Sequence, residues 1–294
     1  MQKVLAIVGP TAVGKSSFGI ECAKIFNGEI ISGDSIQIYK HLDIGSAKVT
    51  KEETKGINHH LIDIKEPHEN YSVKEFQEKG RELIESISKE GKLPIVVGGT
   101  GLYIKALLYD YKFFEEEEKD DQFEDLSNEE IYYELKKEDP DALEKIHVNN
   151  RKRLVRALNI VRKHGQGISM IKANQNHKPI YDIKIIGLTR NKEELKENIN
   201  NRVNQMIDNG LEKEIKSLLD AGITFDNQCM QAIGYKEFKD YFEGKAKIEE
   251  VIEKIKSNTR HFAKRQYTWF NNQMNIEWFI DKNEALNSIR KWYE

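Results

Sequence analysis

Val4-Leu5-Ala6-Ile7-Val8-Gly9-Pro10-Thr11-Ala12-Val13-Gly14-Lys15-Ser16 begins with five apolar residues, turns between two glycines and ends on a lysine and a hydroxyl. The second half matches G-x-x-x-x-G-K-[ST], and its context is the one that gives the motif meaning, an apolar strand before it and a helix after it. Glycines let backbone N–H groups turn inward around phosphate oxygens. The helix N-terminus adds partial positive charge, and Lys15 adds a full one. Gly9, Thr11, Ala12, Val13, Gly14, Lys15 and Ser16 are therefore the expected diphosphate cradle, with the Ser16 hydroxyl a candidate ligand for Mg2+.

Outward from this stretch, the same grammar repeats. Glu29–Ser32 reads as a strand ending in Gly33-Asp34-Ser35, and Lys74–Ser88 has helical spacing with Gly91 as its stop. Leu93–Val97 is an apolar strand running into Gly98-Gly99-Thr100-Gly101, and Ile183–Leu188 is another strand. Strands alternating with helices predict an α/β fold, a P-loop-type parallel sheet flanked by helices. Ligands in such sheets lie beyond the carboxyl ends of the strands, where Gly9–Ser16, Asp34–Gln37 and Gly98–Tyr103 fall. From Phe113 to Tyr181 the pattern becomes charged and helical, a mainly α-helical insertion. The expected domains are 1–112 plus 182–294 as core and 113–181 as insertion. Helices at Lys192–Asn209, Glu212–Ala221 and Ile248–Phe270 complete the core.

Composition narrows the function class. The chain of 294 residues is 38% hydrophobic and 32% charged, as in ordinary folded proteins. No apolar run reaches membrane-span length, and no secretory signal pattern opens the chain, so a soluble cytoplasmic protein is expected. Cys22 and Cys229, far apart in sequence, indicate neither a disulfide framework nor a Cys-based zinc site. Between Glu115 and Glu144 fifteen acids face three lysines, a local balance of −12. The rest must then carry +9 to leave the net charge of −3. A basic body with an acidic appendage is compatible with a polyanionic partner.

Asp34 is the only acid ending an early strand. It could ligate magnesium, act as general base near the phosphates, or simply cap the turn that follows. The strand that would supply the second acid of a nucleotide hydrolase ends instead in Gly98-Gly99-Thr100.

Six segments in order resemble the tRNA dimethylallyltransferase family, in its bacterial form. They are Gly9–Ser16, Ser32–Tyr39, His59-His60-Leu61-Ile62-Asp63, Gly98–Tyr103, Gln231–Glu237 and Ala263–Phe270. The resemblance implies transfer of a dimethylallyl group from dimethylallyl diphosphate, with Mg2+, to N6 of an adenosine in a tRNA anticodon loop. It implies Asp34 as base, Thr100 assisting on the diphosphate side and Arg202 beside the diphosphate. It also implies a monomer that meets the anticodon stem-loop, with the base extruded from its stack. RNA contacts are then expected from Asp34, Ser35, Ile36 and Gln37, with Gln37 reading or replacing the base. Basic helices add Lys152, Arg153 and Arg156, then Arg260, Lys264, Arg265 and Gln266; Gly234, Tyr235 and Lys236 form a third group. Without the resemblance, each basic helix reads as a solvated face over an apolar stripe.

Two departures stand out. The family's Gly-Thr-Ala-Lys-Pro is Gly45-Ser46-Ala47-Lys48-Val49, and the basic helix begins at Asn149-Asn150-Arg151 where Asp-Pro is common. The adjacent His59-His60 pair is expected to be structural or near substrate, since neighbours in regular structure do not face one metal. Alternatives are an adenylate isopentenyltransferase acting on free AMP, ADP or ATP, a small-molecule P-loop kinase, and a non-enzymatic RNA-binding module.

Overall fold

Strand β1 (Lys3–Val8) is buried from Val4 onward, the signature of a strand covered on both faces. It is a central strand. Its neighbours are β4 (Leu93–Gly98) and β5 (Asp182–Leu188), with β2 (Gly28–Ser32), β3 (His59–His60) and β6 (Glu277–Phe279) completing the sheet. All pair in parallel, in the order β3-β2-β4-β1-β5-β6. The carboxyl ends Val8, Ser32, Gly98 and Leu188 therefore lie along one edge of the sheet. In this computed structural model residues 1–113, 123, 125–165, 167–173 and 177–294 are described.

Helices α1 (Lys15–Ile25), α2 (Val73–Lys89), α3 (Gly101–Leu108), α7 (Lys192–Asp208), α8 (Leu211–Asp220), α9 (Lys239–Phe242), α10 (Ile248–Gln273) and α11 (Lys282–Tyr293) flank the sheet. Two apolar clusters hold them. One is built on Leu5, Ile7, Phe18 and Ile289, the other on Ala6, Val8, Phe76 and Phe270. Helix α2 starts where a capping box allows: Ser72 accepts from the Glu75 N–H while Glu75 reaches back. Its Gln77 amide then donates to the Ala106 carbonyl at 2.7 Å, fixing α3 against it.

The chain divides into one unit of Met1–Tyr109 with Pro179–Glu294 and a second of Asp110–Lys178. The joints fall three residues earlier than the sequence reading put them. The Ile180 N–H donates to the Leu108 carbonyl and Tyr109 bridges Pro179, so the return leg joins the first unit before β5 begins. Within the second unit, α4 (Asn128–Glu138) packs on α5 (Arg151–His164) through Ile131, Leu135, Leu154 and Leu158, followed by α6 (Ile168–Ala173). Asn150 caps α5 by accepting from the Arg153 N–H, so the helix start is defined without an Asp-Pro. Arg151 donates to the Leu126 and Phe123 carbonyls and locks that corner. The acidic run Glu115–Asp125 lies outside the described residues but for Phe123 and Asp125. No described helix is long and apolar enough to cross a membrane.

His59 and His60 form the edge strand β3, and His60 Nε2 sits 2.6 Å from Glu29 Oε2. Glu29 also accepts from Lys92 at 2.7 Å and Asn58 at 2.9 Å. Burial alone would raise its carboxyl, but the bonds from Lys92, His60 and Asn58 outweigh it and bring it down to about 2. A depressed carboxyl stabilises the fold above its unfolded value of 4.5, and that stabilisation is lost as pH falls toward 2. Glu29→Gln should therefore lower the thermal midpoint by roughly 3–8 °C at pH 7. The gap from the parent protein should narrow as the pH of the melt drops below 4.5. A constant gap would mean that the charge of Glu29 is not what matters.

Candidate active site

The turn between β1 and α1 has the shape that its glycines predict. Gly14 precedes α1 in left-handed geometry, and Ala12 holds φ 64°, which costs a residue with a Cβ. No side chain caps α1, so the N–H groups at its start remain available to an anion. Lys15 is half-exposed as a residue, but its ammonium lies deep and donates to the Pro10 carbonyl at 2.6 Å. Burial, then the positive charge of Arg202, push that ammonium down to about 7, against the pull of Asp34. Arg202, on α7, is likewise lowered by burial and raised by Asp34. Among the described residues no hydrogen bond or ion pair engages its guanidinium. Two deep cations thus feel the charge of one carboxylate, and among the described residues neither forms an ion pair with it. This arrangement calls for an anion.

Beside them opens a cleft of about 440 Å³. Thr11, Asp34, Thr100, Arg202, Lys236 and Arg265 line its polar side, while Ile199, Val203, Met206, Ile233, Ile255 and Phe262 line an apolar side. Asp34 and Thr100 come from the ends of β2 and β4, which approach closely. A Cβ on Gly98 would fall 2.4 Å from the Gly33 carbonyl oxygen. Asp34 does cap the turn after it, accepting from the Ile36 N–H at 2.8 Å and the Gln37 N–H at 3.3 Å. Both bonds fall on Oδ1, which leaves Oδ2 unengaged among the described residues. The capping role and a chemical role are compatible. Thr100 stands at the N-cap of α3 without making a cap bond, so its hydroxyl is not tied there.

Several residues expected at the RNA have hydrogen-bond partners within the protein. Gln266 is buried: Oε1 accepts from the Thr11 N–H at 2.9 Å and Nε2 donates to the Gly99 carbonyl at 3.0 Å. It staples the phosphate loop to the β4–α3 turn, and it also lines the cleft. Tyr235 is fully buried and donates its hydroxyl to Glu214 at 2.8 Å. Gly234 is buried with its N–H on Glu237, although its edge reaches the cleft. Gln37 does not line the cleft. Its Oε1 lies 3.2 Å from Ser32 Oγ, and its amide donates to the Ser46 and Ala47 carbonyls at 3.3 Å. Arg260 is likewise outside the cleft, donating to Asn200 at 2.8 Å.

Ser35, Ile36, Lys236 and Arg265 line the cleft, while Lys264 is exposed on α10. Ser16 is exposed at the start of α1 and borders a separate recess with Ser32, Gln37 and His59. Lys152, Arg153 and Arg156 are exposed on α5 of the second unit.

The sequence reading missed Glu214. On α8 it accepts from the N–H groups of Asp43 (2.8 Å), Ile44 (2.7 Å) and Gly45 (3.1 Å), and so holds the loop whose Gly45 and Ser46 line the cleft. Lys48, almost wholly buried, braces the same loop through Asp43, Asp63 and the Tyr39 carbonyl.

Comparison with known proteins agrees with this geometry. Residues 37–273 match the family described as IPP transferase. A tRNA dimethylallyltransferase of Anoxybacillus flavithermus is 51% identical over 97% of this chain and 92% of its own. One of Bacillus cereus is 47% identical over all of this chain and 95% of its own. The crystal structure of a Bacillus halodurans tRNA isopentenylpyrophosphate transferase superposes with a TM-score of 0.78 at 42% identity, covering 100% and 97% of the two chains. A eukaryotic dimethylallyltransferase described as acting on tRNA gives 0.81 at 32% identity, over 95% and 74%. With the phosphate loop, the acid beyond β2 and the cleft between them in place, the chain belongs to the IPP transferase family, among the tRNA dimethylallyltransferases.

Proposed function

We propose that this chain transfers a dimethylallyl group from dimethylallyl diphosphate to the N6 amine of the adenosine 3′-adjacent to the anticodon, in tRNAs reading codons that begin with U. Diphosphate is released. The observation that carries the reading is the pair of deep cations, Lys15 and Arg202, set against a single carboxylate beside a cleft with one apolar side. An allylic carbon with a good leaving group needs positioning and neutralisation of the departing charge more than a strong nucleophile. The diphosphate would lie on the N–H groups of α1 and against both cations, with its short apolar tail toward Val203, Met206 and Phe262. As the C–O bond breaks and the C–N bond forms, Asp34 Oδ2 takes the proton from N6.

Among the described residues no cluster of three His, Cys, Asp or Glu could hold a metal. The fit for Mg2+ is therefore Ser16 together with diphosphate oxygens and water, the ligand habit of that ion. Its charge would add to that of Lys15 at the leaving group. The extruded base would enter past Ser35, Ile36 and Ser46. Phosphates would meet Lys236, Lys264 and Arg265 on the first unit and Lys152, Arg153 and Arg156 on the second.

The test incubates the protein with labelled dimethylallyl diphosphate, Mg2+ and either total tRNA or AMP. Label in tRNA is expected; label in AMP alone would replace this reading with a free-nucleotide enzyme. Lys264→Ala and Arg265→Ala should each weaken RNA binding with little regard to sequence and reduce the salt slope by about 1. An unchanged slope would remove that residue from the phosphate contacts.

A further inference from the structure

We infer that Glu214 is a positioning residue for the acceptor side of the cleft, acting through the Asp43–Ser46 loop and leaving the diphosphate side alone. The inference rests on the function proposed above. Three consecutive backbone N–H groups, of Asp43, Ile44 and Gly45, converge on the Glu214 carboxylate with the Tyr235 hydroxyl as a fourth donor. Successive N–H groups aimed at one point form an anion nest, and here the protein fills it with its own side chain. Bonds to a charged acceptor are the stronger kind, so one side chain sets the position of a whole loop.

That loop is a wall of the cleft. Gly45 and Ser46 line it together with Ser35 and Ile36, the turn that Asp34 caps. Tyr235 packs so tightly under Gly45 that a Cβ there would lie 2.5 Å from its ring. Gln37 joins that turn to the loop by donating to the Ser46 and Ala47 carbonyls. A base reaching Asp34 would enter the cleft that these residues line, whereas among the described residues the phosphate loop and Arg202 share no hydrogen bond with Glu214. Losing the carboxylate should therefore loosen the binding of the acceptor and not that of the donor.

Geometry also supplies a distinctive test. Glu214 borders a second cleft of about 600 Å³, lined also by His41, Glu66, Ser217 and Ile223. Shortening the side chain leaves the four donors in place and opens a path by which a small carboxylate can reach them. Glu214→Ala should raise KM for an anticodon stem-loop RNA about tenfold or more, with the Kd for inorganic diphosphate changed less than about twofold. Amide exchange at Asp43, Ile44 and Gly45 should accelerate. High acetate, against chloride at equal ionic strength, should restore both KM and protection.

An equal loss of diphosphate affinity, or no rescue by acetate, overturns the inference. Should Glu214→Ala not fold, Tyr235→Phe removes only the fourth donor, and an unchanged KM for RNA in that variant overturns it too. If the parent protein transfers no dimethylallyl group to RNA, the function reading fails; exchange and acetate protection at residues 43–45 still judge the nest.

Discussion

Arg202→Ala should reduce kcat/KM for dimethylallyl transfer by about 10²–10³-fold, the range for removing one preorganised group that meets developing charge. RNA binding should stay within about twofold, since Arg202 is expected to meet the donor and not the acceptor. The physical case is the unmet charge. Burial works against the guanidinium and only Asp34 favours it, so an anion is the natural partner of the site. Arg202→Lys should recover little, because an ammonium cannot reproduce the planar fork that grips two phosphate oxygens.

The same substitution has a second readout, with a definite sign. Lys15 is held at about 7 by burial first and by Arg202 second. Diphosphate prefers the protonated lysine, so its affinity should fall as pH rises through about 7. Removing Arg202 lets the Lys15 ammonium rise toward its ordinary value, which moves that fall to higher pH even as overall affinity drops. Diphosphate titrations from pH 6 to 9, with Lys15→Met as the reference for the ligand's own ionisation, measure it. A profile unmoved by Arg202→Ala would mean that the two cations do not share an anion.

How much of this was legible without coordinates depends on what each residue's evidence consists of. The phosphate loop was legible because its meaning is local: an apolar strand, a glycine turn and a helix adjoin in sequence. The central strands were legible for the same reason, Leu93–Val97 being apolar throughout. By contrast β3 has two residues and β6 three, too short for any period to register, and both exist only because the sheet offers an edge to pair with.

A polar residue in a basic segment says nothing of which way its side chain points. Gln266 stands next to Lys264 and Arg265 in sequence, yet Ala263, Gln266 and Phe270 are spaced three and four apart and all are buried on α10. That spacing puts Gln266 on the inner stripe, bound to the phosphate loop while still lining the cleft. Glu214 lies three residues after Leu211, one turn along the buried side of α8, and carried the same signal. Gln37 had no such clue, because the turn after Asp34 has no period and its partners, the Ser46 and Ala47 carbonyls, belong to another irregular stretch.

Asp34→Asn separates the two roles that Asp34 combines, and its expected loss in kcat is about 10²–10⁴-fold, the usual worth of a positioned general base. An asparagine keeps an oxygen at Oδ1, so the bonds from the Ile36 and Gln37 N–H groups survive and the turn stays as it is. What disappears is the proton acceptor at Oδ2 and the negative charge facing Lys15 and Arg202. Measured well below pH 7, where Lys15 keeps its proton, affinity for diphosphate should therefore hold or improve while turnover collapses, a combination that misfolding cannot produce. Asp34→Ala should lose turnover to the same degree and, in addition, about 1 kcal/mol of stability with the vanished cap. The pairing matters because the N6 lone pair of adenine is delocalised into the ring: the amine attacks well only if its proton leaves as the C–N bond forms. Single-turnover rates with saturating donor and RNA isolate that step. An Asp34→Asn protein with a tenth or more of the parental rate would leave Asp34 as a turn cap and send the search for the base elsewhere in the cleft.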